Sequence, residues 1–198
     1  MARPQKLQFD EIGYWSELKL EIVKSYAQAY TTIFSATKQA RFYHLYIDAF
    51  AGAGLHVSRK SGEIVPGSPL NALNVKPPFR EYHLIDLNPA KVLSLRSLIG
   101  GREKVFLYEE DSNRVLVERV LPLVRYEEYR RALCLLDPYG LHLNWDVIAK
   151  AGEMRTVDIF LNFPTADMNR NVFWRNRAGV HERILSWFSL IWKNAASS

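Results

Sequence analysis

Chemistry in this chain is concentrated where apolar runs end in small or polar residues. In LYIDAFAGAG, residues 45–54, Asp48 and Phe50 lead into Gly52 and Gly54. Such a turn brings a ligand close to backbone N–H groups, which side chains larger than alanine would prevent. HLIDLNP, residues 83–89, ends a second run at Asp86. A carboxylate there can accept hydrogen bonds from both hydroxyls of a ribose. A third run closes on Asp111, placed for a base edge or a pocket rim. The fourth, ALCLLDPYG over 132–140, presents Asp137, Pro138, Tyr139 and Gly140. Proline fixes φ and lacks a donor, so the turn can aim Asp137 into a cleft while Tyr139 stacks on a flat substrate. An acid beside an aromatic suits an exocyclic amine whose nitrogen attacks a methyl group. Each aspartate also suits a plain cap or turn role at a strand end.

The glycine spacing is not the GxGxxG of a dinucleotide site, and Asp48 before the turn would meet a pyrophosphate with like charge. No Walker pattern for ATP is present. A sulfonium with an amino-acid head meets no such repulsion, so S-adenosylmethionine fits better than NAD or ATP. Asn162, Phe163 and Pro164 end a fifth run beside the same cleft, and Arg170, Arg175 and Arg177 suit either phosphates or an ordinary basic rim. The five histidines show no metal-ligand spacing and the chain has one cysteine, so no metal is expected. Without a G-x-S-x-G elbow, Ser-His-Asp chemistry has little support.

The elements that must position these residues alternate. Strands are expected at 42–50, 81–87, 104–108, 132–136 and 157–163, with the fourth interior because it is continuously apolar. Ahead of them, Trp15, Leu18, Ile22, Tyr26, Tyr30 and Ile33, joined by Val23 and Phe34, recur at helical spacing. Glu17, Lys19, Glu21 and Lys24 then form a solvated face. Residues 1–13 read as an irregular arm. Two glycines and two prolines follow the glycine turn within residues 56–73, so this excursion is expected as a lid, ending in a helix capped by Ser68 with Pro69 first. Asn88 and Pro89 open another helix, Ser112 or Asn113 a third, and one more surrounds 145–149. Beyond Thr165 a polar loop precedes a helix using Val180, Ile184, Leu185, Phe188 and Ile191. Alternation stops there, so the last two strands of a seven-stranded sheet have no counterpart, which implies an abbreviated fold or a chain continuing past Ser198.

Twenty-six Lys and Arg against 21 Asp and Glu leave a net charge of +5 over 198 residues. That excess permits an acidic partner such as nucleic acid without requiring one. One cysteine, Cys134, excludes a disulfide framework and suits a reducing compartment. No signal-peptide segment and no run near the roughly 20 apolar residues of a membrane span is present, so a soluble cytoplasmic protein is expected.

Together the glycine turn, the second-strand acid and the Asp-Pro-Tyr-Gly turn resemble the class I S-adenosylmethionine-dependent methyltransferase superfamily. More closely, the chain resembles the three-Cys-motif partner family, TcmP. The likeness runs through a helix carrying a lysine, here Lys19 or Lys24, then YIDAFAGAG and the segment around Gly67, Ser68 and Pro69. It continues through HLIDLNP, LLDPYG followed by Trp145, and VDIFLNFP with Asn169 and Arg170 beyond. It implies an α/β fold of the Rossmann-like methyltransferase type, an open, mostly parallel sheet flanked by helices. The arm and accessory helix would occupy 1–40 and the Rossmann domain 41–198. S-adenosylmethionine would lie at Asp48, Phe50, Gly52, Gly54 and Asp86, with Asp111 at the rim. Asp137, Pro138 and Tyr139 would be catalytic, with Asn162 and Arg170 toward the substrate. The family also implies a separate three-cysteine-motif protein as partner, and it brings no established substrate. The Asp-Pro-Tyr-Gly turn is similar to those of amino-methyltransferases acting on adenine in DNA or guanine in tRNA, but glycine here departs from the DNA adenine pattern. The expected activity is methyl transfer to a base amine of nucleic acid, the alternative an inactive, protein-binding module.

Overall fold

The computed structural model describes residues 9–36, 42–140 and 142–163. In chain order the elements are β1 (Asp10–Ile12), α1 (Tyr14–Ala36), β2 (Tyr43–Asp48), β3 (Leu55–Ser58), β4 (Ile64–Pro66), α2 (Ser68–Leu73), β5 (Glu81–Ile85) and α3 (Pro89–Ile99). They continue as β6 (Val105–Tyr108), α4 (Ser112–Val115), β7 (Arg130–Leu136), α5 (Trp145–Met154) and β8 (Val157–Leu161), with a π turn and a 3-10 turn extending α4 to Leu123.

Five strands form one parallel sheet in the order β6-β5-β2-β7-β8. Alternate side chains of β2 enter two separate cores. Leu45 and Ile47 pack with α4, its π turn and α5, while Tyr46 packs with α1, α2 and α3. A strand buried on both faces has no polar side to show, which is why β2, β5 and β7 read as apolar runs. All five strands end on one side. The chain runs outward from β2 through β5 to β6, then returns to β7, so the topological switch point falls between β2 and β7. No described helix is long and apolar enough to cross a membrane.

The helix starts combine agreement and correction. Asn88 caps α3 as expected, its side chain accepting from Ala90 N and Lys91 N, with Pro89 first in the helix. At α2 the cap is Gly67 rather than Ser68, which is itself the first helical residue. Asp111, not Ser112 or Asn113, caps α4. The expected irregular arm contains β1, which pairs in parallel with β3, and β3 turns back as a hairpin with β4. The segment expected as a lid contributes β3 and β4, which with β1 of the arm form a small three-stranded sheet.

Helix α1 forms where expected, but Leu20, Val23, Ala27, Tyr30 and Thr31 are its buried residues. Trp15, at 78% exposure, and also Ile22 and Tyr26, face out. The buried face runs through small Ala27 and Thr31 as well as Tyr30, and the bulky Trp15 and Ile22 lie off it. The helix expected within 180–192, together with Arg170, Arg175 and Arg177, lies outside the described residues.

Two glycines of the turn after β2 need their residue type for different reasons. Gly52 has φ +66° and Gly54 φ +87°. A Cβ on Gly54 would stand 2.8 Å from Leu95 Cδ1, in the core, whereas one on Gly52 would have nothing within 4 Å. Gly54 thus seats the turn on α3, and Gly52 leaves open space above it. Urea denaturation should show Gly54→Ala losing about 2–3 kcal/mol and Gly52→Ala about 1 kcal/mol, the cost of backbone strain without a clash. Equal losses would remove the distinction.

Candidate functional site

A cavity of about 460 Å³ opens at the carboxyl ends of β2 and β7. The turn after β2 contributes Phe50, Ala51 and Gly52, and the turn after β7 contributes Asp137, Pro138, Tyr139 and Gly140. Asn162 follows β8 into the same wall. Ser16, Lys19 and Leu20 from α1, Ser68 from α2, Lys91 from α3, His56 from β3 and Asp10 to Ile12 of β1 complete the lining.

The Asp137 carboxylate is held from two sides. Lys19 Nζ donates to Oδ2 at 2.5 Å and Asn162 Nδ2 to Oδ1 at 2.7 Å. Asn162 is itself fixed because its backbone N–H extends the β7 ladder to Leu136 O at 2.8 Å. Each partner comes from a different element, so the carboxylate direction is set by the tertiary fold rather than by its own turn.

Beneath the cavity, two further aspartates shape the glycine turn. Asp48 is fully buried and accepts from Tyr46 Oη and from Phe50 N, each at 3.3 Å. Burial raises its pKa to about 7, with a further contribution from the Asp137 charge, against hydrogen bonds from Ser68, Phe50 and Tyr46. A half-neutral group beneath the turn weakens the like-charge argument against a pyrophosphate. Asp86 accepts from Gly52 N at 2.9 Å and from Asn88 N at 2.8 Å, tying the turn to the start of α3. Each carboxylate oxygen keeps room for a second donor.

Lys91 Nζ donates to Asp10 Oδ2 at 2.6 Å and Tyr139 Oη at 3.2 Å. Burial works against its charge, but those two bonds outweigh it and raise its pKa. Burial lowers the pKa of His56, and Lys91 and Lys19 add to that against the opposing charge of Asp10. The His56 Nδ1 has no hydrogen-bond partner.

Of the residues singled out in the sequence, Phe50, Gly52, Asp137, Pro138, Tyr139 and Asn162 meet at this cavity. Asp48, Gly54 and Asp86 sit behind its wall and shape it. Asp111 does not join them. Its carboxylate accepts from Arg114 N at 3.1 Å, and it lines a second cavity of about 290 Å³ with Asn113, Asn144 and Asp146. Lys19, read from charge as part of a solvated face, points into the site. Lys91 and His56 were missed, although the third residue of a helix that follows a strand end is placed at such a cleft. Among the described residues, no group of three or more His, Cys, Asp or Glu could hold a metal ion.

Parallel strand order and a cavity at the switch point define a Rossmann-like α/β domain. Its structure is similar to the crystal structure of protein LPL1258 from Legionella pneumophila str. Philadelphia 1, which carries the family label DUF519. The TM-score is 0.56 at 15% identity, over 78% of this chain and 68% of that one. At that identity the likeness bears on the fold alone. No family model and no curated protein matches the chain.

The state of Asp48 makes a pH prediction. Between the ordinary value of 3.8 and about 7, the folded chain keeps a proton that the unfolded chain has lost. This group therefore lowers stability as pH rises through that window, and its contribution levels off above it. Asp48→Asn should remove the slope, changing the difference in unfolding free energy between pH 5 and pH 8 by on the order of 2 kcal/mol. Urea titrations at the two pH values measure it, and an unchanged difference would show that Asp48 ionises normally.

Proposed function

We propose that the cavity binds S-adenosylmethionine and that the chain methylates an amine of a nucleic-acid base. The observation carrying this reading is the Asp137 carboxylate, held by Lys19 and Asn162 at the cavity wall it shares with Gly52. The residues fit the cofactor. Space for a Cβ above Gly52 is empty, Asp86 retains acceptor capacity, and the volume lies within the roughly 300–1,000 Å³ of small-molecule sites. The residues that support this reading also carry the resemblance to TcmP.

Gly52 and Phe50 would hold the cofactor along the turn, and a ribose hydroxyl seated over Gly52 would donate to the spare acceptor capacity of Asp86, which holds Gly52 N from behind the wall. When bound, the cofactor supplies an electrophilic methyl group on a positively charged sulfur. Asp137 would accept an N–H of the amine and so aim its lone pair, while the Tyr139 ring stacks on the base. Lys19 keeps the Asp137 carboxylate oriented. The β1 strand and Phe50 would cover part of the bound cofactor. Rate enhancement would come mainly from alignment and a preorganised field, so no strong nucleophile is needed. A base presented from a duplex would have to be flipped out of its stack.

A second reading, an inactive module that docks a three-cysteine-motif protein, is favoured by the outward-facing Trp15 and Tyr26 of α1. Calorimetry with S-adenosylmethionine, its demethylated product and NAD tests the proposal. Micromolar binding of the first two, lost in Asp86→Ala, is expected. Asp137→Asn should keep the cofactor but slow methyl transfer to RNA or DNA by about 100-fold. Preference for NAD would sink the assignment, and cofactor binding with no transfer to nucleic acid would favour the second reading.

A further inference from the structure

Tyr139 is 59% exposed, on a turn between Pro138 and Gly140. A surface ring of this kind ordinarily samples several rotamers, which costs affinity when a ligand must stack on it. Here it is held. Lys91 Nζ lies 3.2 Å from its hydroxyl and 5.0 Å from its ring centroid. Lys91 stands in the first turn of α3, whose start is fixed by the Asn88 cap and, through Asn88 N, by Asp86. The same ammonium lies 2.6 Å from Asp10 Oδ2. Asp10 begins β1, a three-residue strand whose sheet partner is β3. Asp10, Lys91 and Tyr139 all line the cavity.

We propose that Lys91 is a positioning residue that ties the Tyr139 ring to β1, so that the cavity wall and the substrate-facing aromatic are set as one unit. The Lys91 and Asp10 side chains remain 19% and 46% exposed. Partly exposed pairs contribute little to stability, so removing this one leaves a folded chain and exposes its effect on placement. The acceptor part rests on the methyltransferase reading, whereas the relay does not.

The test uses the full chain labelled with 3-fluorotyrosine, with the Tyr139 fluorine resonance assigned by its loss in Tyr139→Phe. Lys91→Met should move that resonance toward the position of a freely rotating tyrosine. Asp10→Asn, which does not touch Tyr139, should move it the same way, and Lys91→Arg should restore most of the wild-type position. In methyl-transfer assays with short single-stranded RNA or DNA as acceptor, Lys91→Met should raise the acceptor KM about fivefold while lowering kcat by less. An unmoved resonance in Lys91→Met or Asp10→Asn overturns the relay. A moved resonance with an unchanged acceptor KM overturns its role in acceptor placement. A wild-type chain that transfers no methyl group overturns that role together with the reading beneath it, while the fluorine result still judges the relay.

Discussion

Everything at the cavity depends on β2 being hydrogen-bonded on both sides and covered on both faces. Leu45, Tyr46 and Ile47 are fully buried, with β5 along one edge and β7 along the other. A strand so confined delivers its next residues to one place, where Gly54 lies tight against Leu95 and Gly52 leaves open space above it. The chain answers with alanines and glycines. Their backbone groups are then satisfied by neighbours: Ala51 N by Ile85 O, Gly52 N by the Asp86 carboxylate. β5 and the residue after it thus serve the turn after β2 before any ligand is considered.

Asp137 illustrates a different division of labour. Its position comes from β7, but its direction comes from α1 and from the residue after β8. The bond to Lys19 is partly exposed, so its weight in stability is small beside the two apolar cores. Its effect lies in orientation and charge. That separation lets the scaffold carry the free energy of folding while a few polar contacts set geometry.

Much of this was legible in the sequence, for reasons that can be named. Parallel strands buried on both faces leave continuous apolar runs, and Asn88 with Pro89 marks a helix start by the chemistry of unsatisfied N–H groups. Helix α1 was legible as a helix but not in its orientation. Periodicity records which residues are apolar, and Ala27 and Thr31, which are fully buried, are weak or silent on that scale. Strands of three or four residues in polar sequence, such as β1 and β3, carry too few alternations to be seen. Asp111 had two readings at a strand end, and capping α4 is what its carboxylate does in this structure. Lys91 and His56 belong to no motif, and only the packing of α3 and β3 around the cleft brings them in.

The small sheet joins Asp10 with His56, residues far apart in sequence, and in doing so makes the beginning of the described chain part of the cavity wall. This has a practical side for anyone handling the protein. An affinity tag fused close to β1, or a trimmed N-terminus that removes it, would reshape the cavity while leaving the main sheet intact. Such a preparation would pass ordinary checks of folding and still report on a different site.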